Sequence, residues 1–219
     1  MQRNVEYVGA TYVGRFLDRD LVFEIFDSAN RYFVDSGIPV RFLYLGKTEV
    51  GPEYLISVRT EEGNVRGYPL EAVRETLHAR LVAEINNSEN GVVMNKILAL
   101  MAFPLFSRNP SFHVYEKFLG MQSDVGGLKI MMLSIKPFED GNENLLRRRI
   151  LKGVLHELGH GFGLSHCSNE CVMNPPSTME EWDLRPMGFC DSCRRKLMES
   201  IAAEIKAGSE TAGLITRQG

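Results

Sequence analysis

Apolar positions along this chain switch between two spacings, and the switches mark out its elements. Residues 4–12 read as a first strand, and 38–45 and 96–103, rich in strand formers, as two more. Between the first two, Phe16, Leu17, Leu21, Ile25, Ala29 and Phe33 recur at helical spacing. They predict a helix over 16–35, stopped by Gly37 in a left-handed conformation. Residues 46–68 look irregular, with a short strand at 54–58. Pro69 suits the first turn of a helix running to about 85, and 86–91 is a turn cluster. Residues 112–118 alternate like a strand at a sheet edge, and 128–135 is a continuous apolar run expected to be buried on both faces. A long helix is predicted over 143–163 from Leu146, Ile150, Val154 and Leu158, and a last one over 191–207. The pattern predicts an α/β (α+β) fold with helices packed across a sheet. Residues 1–163 would form the sheet-containing part and end in the long helix. Residues 164–207, where Cys, Pro and Gly concentrate, would complete the same domain, and 208–219 would be a frayed tail.

Composition narrows this picture. With 219 residues, 44% hydrophobic and 24% charged, the chain can bury a full core. A net charge of −3 gives no footprint for nucleic acid or an anionic membrane. The run Arg147, Arg148, Arg149 reads as a solvated helix face. No apolar run is long enough for a membrane span, and residues 1–14 lack the apolar stretch of a signal peptide. A cytoplasmic monomer is expected.

The chemistry concentrates in His156-Glu157-Leu158-Gly159-His160-Gly161-Phe162-Gly163-Leu164-Ser165-His166, an H-E-x-x-H-x-x-G-x-x-H segment. Histidines at i and i+4 lie on one helix face, so both imidazoles can reach one ion. Gly163 lets the chain leave the helix with positive φ, and His166 can swing back beneath the same ion. Three neutral imidazoles leave a zinc ion its double charge and one open position. Such an ion acidifies water to a pKa of about 7, and Glu157 is placed as general base. The full motif arises by chance at odds on the order of one in 10⁴. His78 and His113 have no such context: His78 reads as a helix-face residue and His113 as a strand residue that could line a cleft.

The four cysteines, Cys167, Cys171, Cys190 and Cys193, fall in one short stretch, and the last two form C-x-x-C at a helix start. Two such pairs suit a closed, structural zinc site of four thiolates, giving two zinc ions per chain with the histidine site. Two disulfides are the alternative pairing. A site built from three cysteines and His166 is another, since His166 and Cys167 are adjacent.

Together these residues resemble the archaemetzincins, which follow the histidine motif with a cysteine, then C-x-M, then C-x-x-C. The matches here are Cys167, Cys171-Val172-Met173, and Cys190 with Cys193. The resemblance implies a metzincin-like zincin fold with a mixed twisted sheet, an active-site helix and a treble-clef-like zinc segment. It makes Met173 the Met-turn methionine beneath the catalytic zinc. It implies peptide or protein substrates bound along a sheet edge, for which 112–118 is the candidate, and cleavage of the aminopeptidase type. An amino-terminal substrate would need an acidic anchor, and Glu170, Glu180, Glu181 and Asp183 lie in the right region. The alternative function is a zinc-stabilised peptide-binding module with little hydrolysis.

Overall fold

A five-stranded sheet forms the centre of the computed structural model, which describes residues 5–14, 18–60, 63–87, 94–103 and 120–215. In chain order the elements are β1 (Glu6–Val13), α1 (Arg19–Asp35), β2 (Val40–Thr48), β3 (Ile56–Thr60), β4 (Gly63–Gly67), α2 (Leu70–Asn86), β5 (Met94–Met101), β6 (Gly120–Val125), β7 (Leu128–Ser134), α3 (Glu143–Gly161), α4 (Met179–Leu184) and α5 (Asp191–Ile215). The sheet order is β2-β1-β5-β7-β6, parallel except for β6, which runs antiparallel to β7 at the edge. β3 and β4 make a separate hairpin where the sequence suggests only one short strand.

Period-two alternation divides the core between the two faces of the sheet. Val8, Ala10, Leu98, Leu100, Met131 and Leu133 join α1, α3 and the carboxy-terminal elements in one cluster. Ile97, Ala99, Met101, Ile130 and Met132 join Leu70, Val73, Leu77 and Leu81 of α2 in the other. The first cluster takes in Val172, Met173, Trp182, Leu197 and Ile201. The segment after the long helix is therefore packed into the same core, and each such side chain stabilises it by about 1.5–3 kcal/mol.

The helix boundaries follow the capping chemistry. Asp18 accepts a hydrogen bond from Asp20 N at 2.8 Å and starts α1 later than the sequence pattern suggests; residues 15–17 lie outside the described ones. Gly37, at φ 65°, ends it: Ile38 N donates to Phe33 O at 2.9 Å and Gly37 N to Val34 O at 3.0 Å. This is the paired bonding of a Schellman turn. Pro69 stands just outside α2 rather than in its first turn. α5 continues to Ile215, beyond the expected end at 207, carried by good helix formers such as Ala202, Ala203 and Ala207.

The edge strand that the described residues show is a different segment from 112–118. Residues 112–118, the expected edge, lie outside the described residues, and so does His113. The edge observed is β6, joined to β7 by a two-residue turn at Gly126 and Gly127 with φ of 61° and 84°. Two consecutive left-handed residues make the tight turn that matches the twist of paired strands.

Two charged groups are buried in the packing. Lys96, fully buried on β5, donates to Asn95 Oδ1 at 3.0 Å, pairs with Glu204 of α5, and lies 4.4 Å over the Phe162 ring at the end of α3. Burial lowers its pKa, while Glu204 opposes that shift. Arg149, read from sequence as solvated, is buried instead. Its guanidinium grips Asp183 with two bonds of 2.7 and 2.6 Å and donates to Phe138 O at 2.9 Å. Of that basic run, only Arg148 is exposed. His78 lies half-buried on α2, across the sheet from α3. No helix is long and apolar enough to cross a membrane among the described residues.

Candidate active site

α3 begins at Asn142, whose Oδ1 accepts from Leu145 N at 3.1 Å, and passes under the sheet with His156, Glu157 and His160 on it. Its end repeats the chemistry of α1. Gly163 has φ 82°, Gly163 N donates to His160 O at 2.8 Å, and Leu164 N donates to Gly159 O at 2.9 Å. This turn carries the chain back so that His166 faces the two helical histidines. The ring centroids are 4.7 Å apart for His156 and His160, 5.4 Å for His156 and His166, and 4.9 Å for His160 and His166. One ligand nitrogen from each lies within 4.8 Å of the others.

Hydrogen bonding fixes which nitrogens are free. His156 Nδ1 donates to Val172 O at 2.8 Å and His160 Nδ1 donates to Leu164 O at 2.7 Å. A neutral imidazole that donates through Nδ1 keeps a lone pair on Nε2. The two Nε2 atoms stand 3.1 Å apart with lone pairs facing. That separation is repulsive unless a cation sits between them. It is close to the edge of about 3.3 Å expected for tetrahedral zinc with Zn–N bonds of about 2.0–2.1 Å. Burial favours the neutral ring. It lowers the His156 pKa to about 4, with help from the neighbouring histidines, and lowers that of His160 as well.

Glu157 is almost fully buried, and burial raises its carboxyl pKa to about 8. A dication at the triad would pull this value down and restore the carboxylate. Met173 is fully buried below the helix. A Cβ built on Gly159 would fall 2.4 Å from its Sδ, so the glycine between the two helical histidines makes the room for this side chain. Cys167 N donates to Met173 O at 3.0 Å and Val172 N to Gly188 O at 2.9 Å, holding the turn that carries Met173 and Val172 O.

Sequence reasoning missed Trp182. It is fully buried on α4, stacks on Phe138 at 6.3 Å, meets the His156 ring edge-on at 6.1 Å, and donates from Nε1 to Arg149 O at 3.3 Å. Buried Lys152 donates to Trp182 O at 2.6 Å and Asp183 O at 3.0 Å, clamping the end of the same short helix. A lone tryptophan in the chain was the only signal available in advance.

The four cysteines gather at a second point one peptide bond away. Their Sγ atoms all lie within 4.8 Å of one another, and those of Cys167 and Cys190 are 3.8 Å apart. Zn–S bonds of about 2.3 Å in a tetrahedron give about 3.8 Å between sulfurs, whereas a disulfide would bring them to about 2.05 Å. None of the four is disulfide-bonded. Backbone amides point at the sulfurs: Cys190 N to Cys171 Sγ at 3.2 Å, Asn169 N to Cys167 Sγ at 3.4 Å, and Met173 N to Cys171 Sγ at 3.5 Å. Such bonds favour thiolates. Cys190, the residue before α5, has its pKa lowered to about 6, chiefly by the Cys193 amide, while burial pushes Cys171 and Cys193 up. His166 sits with the histidines and not with the cysteines, so the site of three cysteines and His166 does not form.

Three of the four carboxylates considered as substrate anchors are already committed. Asp183 is held by Arg149, which keeps it below the usual carboxylate range. Glu181 accepts from Ser177 N at 2.8 Å in the cap of α4. Glu180 accepts from its own backbone amide and from the Thr178 hydroxyl in the same cap, which lowers its pKa, so exposed Glu170 remains. A cavity of about 560 Å³ between the Gly163 turn and α5 is bordered by His166, Cys193, Ser192 and Lys196, and no carboxylate among the described residues lines it.

A mixed sheet over a helix with two histidines, a glycine exit and a third histidine above a buried methionine defines a metzincin-like scaffold. A family model described as Peptidase family M54 matches residues 5–199. An archaemetzincin of Sulfolobus acidocaldarius is 36% identical over 161 residues, covering 64% of this chain and 86% of that protein. One of Archaeoglobus fulgidus is 35% identical over 87 residues, which are 38% of this chain and 54% of the relative, so the chain spans about half the length of such curated relatives. The crystal structure of archaemetzincin from Methanopyrus kandleri matches the fold with a TM-score of 0.66 at 20% identity, covering 91% of this chain and 97% of that one. The chain belongs to peptidase family M54, the archaemetzincin family.

Proposed function

We propose that this protein is a zinc-dependent peptidase. In this reading His156, His160 and His166 hold the catalytic zinc, Glu157 is the general base, and Cys167, Cys171, Cys190 and Cys193 hold a structural zinc. The observation that carries it is the pair of facing Nε2 atoms at 3.1 Å, each freed by an Nδ1 hydrogen bond to a backbone carbonyl. Zinc bound there would supply Lewis-acid polarisation of a peptide carbonyl and acidification of water. Glu157 takes the proton of the attacking water and returns it to the leaving amine. The carbonyls of Val172 and Leu164 hold two ligand rings in one tautomer and orientation. Gly159 and Met173 set the floor beneath them.

The substrate is a peptide or protein segment laid against β6, the sheet edge nearest Glu157. Aminopeptidase-type cleavage would rest on Glu170 as the anchor for the amine. The protein works as a cytoplasmic monomer, a setting that keeps four unpaired cysteines available to a metal.

Glu157→Gln tests the reading. It should lower turnover of a peptide library by about 10²–10⁴-fold while zinc content stays unchanged. Undiminished turnover would remove Glu157 as the base, and a wild-type protein that binds peptides without cleaving any would identify a peptide-holding module.

A further inference from the structure

Gly120 opens β6, paired with Leu133 of β7. Its φ lies outside the left-handed region, so the backbone there makes no demand for glycine. Glycine in a strand costs stability relative to a residue with a side chain, and it often marks a place where something approaches the backbone closely. Here that neighbour is Glu157. A Cβ built on Gly120 would lie 2.2 Å from Glu157 Oε1, 2.3 Å from Cδ and 2.8 Å from Cγ. These distances are far inside van der Waals contact. The register explains the direction: Leu133, directly across the ladder, packs on α3 at Gly153, so Gly120 turns the same way, onto the next turn of α3.

We propose that Gly120 is a positioning residue for Glu157: its missing side chain is the space the carboxylate occupies, and its backbone is the wall against which the carboxylate rests. The proposal rests on the reading of Glu157 as general base. The clashing atoms are the end of a flexible side chain, so an added methyl displaces the carboxylate and leaves the strand in place. Stability and metal binding are then nearly untouched, while the base leaves its working position. A shift of about 1 Å in a catalytic group can cost about 10² in rate.

The test uses the zinc-loaded full chain. Gly120→Ala should keep its zinc content and melt within a few degrees of wild type. Its kcat should fall about 100-fold, with KM changed less than about threefold. Its crystal structure should show the Glu157 carboxylate displaced by about 1 Å or more. Glu157→Asp withdraws the carboxylate by one methylene and should lower kcat in the wild-type background. Added to Gly120→Ala it should raise kcat about tenfold, a non-additivity that a merely structural glycine would not produce.

If Gly120→Ala retains wild-type kcat while Glu157→Gln is inactive, or if the carboxylate stays in place in the variant crystal, the proposal is overturned. If Gly120→Ala does not fold, the double variant decides. It folds with zinc bound if the clash was with Glu157, and it fails too if the strand itself needs glycine, which overturns the proposal. If Glu157→Gln remains active, the base assignment has failed, and the carboxylate position in the Gly120→Ala crystal judges the glycine on its own.

Discussion

The two ligand clusters meet at the peptide bond between His166 and Cys167, yet they are built on opposite principles. The histidine cluster offers three imidazole donors, two of them on one rigid helix, and stops one short of a tetrahedron. The cysteine cluster offers four, which can carry a full complement of negative charge, with backbone amides aimed at the sulfurs. The first arrangement leaves room for a reactant. The second would close around an ion and fasten a segment that has little regular structure of its own, between α3 and α5. In the proposed reading adjacent residues thus serve catalysis and architecture, and the division is made by donor type and number.

The largest expected difference between the clusters lies in folding. Cys193→Ser removes a buried ligand and should lower the melting temperature by more than about 10 °C, because binding energy at a closed zinc site is folding energy. His166 is exposed, and His166→Ala should remove about one zinc per chain and abolish turnover, with a melting shift of only a few degrees. Equal losses of stability in the two variants, followed by differential scanning calorimetry, would erase the distinction.

Smaller effects sharpen it. In protein stripped of the ion at the histidines, Glu157 has a folded pKa of about 8 against an ordinary 4.5. Between those values the folded state holds the proton and the unfolded chain does not, so the stabilisation is complete below 4.5 and is lost as pH rises through about 8. His156, lowered to about 4 from 6.5, acts the other way but only below 6.5. From pH 6.5 to 8 the Glu157 carboxyl should contribute a downward slope of a few degrees in melting temperature, opposed by Cys190, whose pKa lowered to about 6 acts the other way over the same range. Glu157→Gln should flatten that slope, and refilling the site should do the same by lowering the carboxyl pKa. A Glu157→Gln variant with the same slope as its parent would show that the carboxyl is not the titrating group.

The smallest effect concerns the floor of the site. Gly159→Ala gains about 1 kcal/mol of helix propensity but drives a methyl into Met173 Sδ, an overpacking cost of about 1–3 kcal/mol. A modest net destabilisation is expected, read by thermal melting, with retention of the structural zinc.

What the sequence revealed and what it hid follow from the same physics. The histidine motif, the four cysteines and Gly163 are local: a helical period and a left-handed glycine place three rings without reference to the rest of the chain. Glu157 was legible for the same reason. The wall it rests on was not, because Gly120 lies far back along the chain and only strand register brings it to the helix. β6 itself reads Gly-Met-Gln-Ser-Asp-Val and is half-buried along most of its length, so it lacks the apolar alternation that betrays a strand. The Gly126–Gly127 turn was a usable hairpin signal. The run Arg147 to Arg149 read as a solvated helix face, and for Arg149 that reading failed because α4 docks over it, as it does over Lys152. Lys96 on β5 is neutralised by Glu204, 108 residues later, a pairing with no local trace.

Stepwise metal removal with direct zinc quantification tests the contrast most directly. Two non-equivalent sites require two zinc ions per chain in the purified protein. A chelator of moderate strength should take one ion and all turnover while the protein stays folded, and a second ion should leave only with unfolding. Loss of both ions together, or a single ion whose removal unfolds the protein and ends turnover in one step, would contradict it.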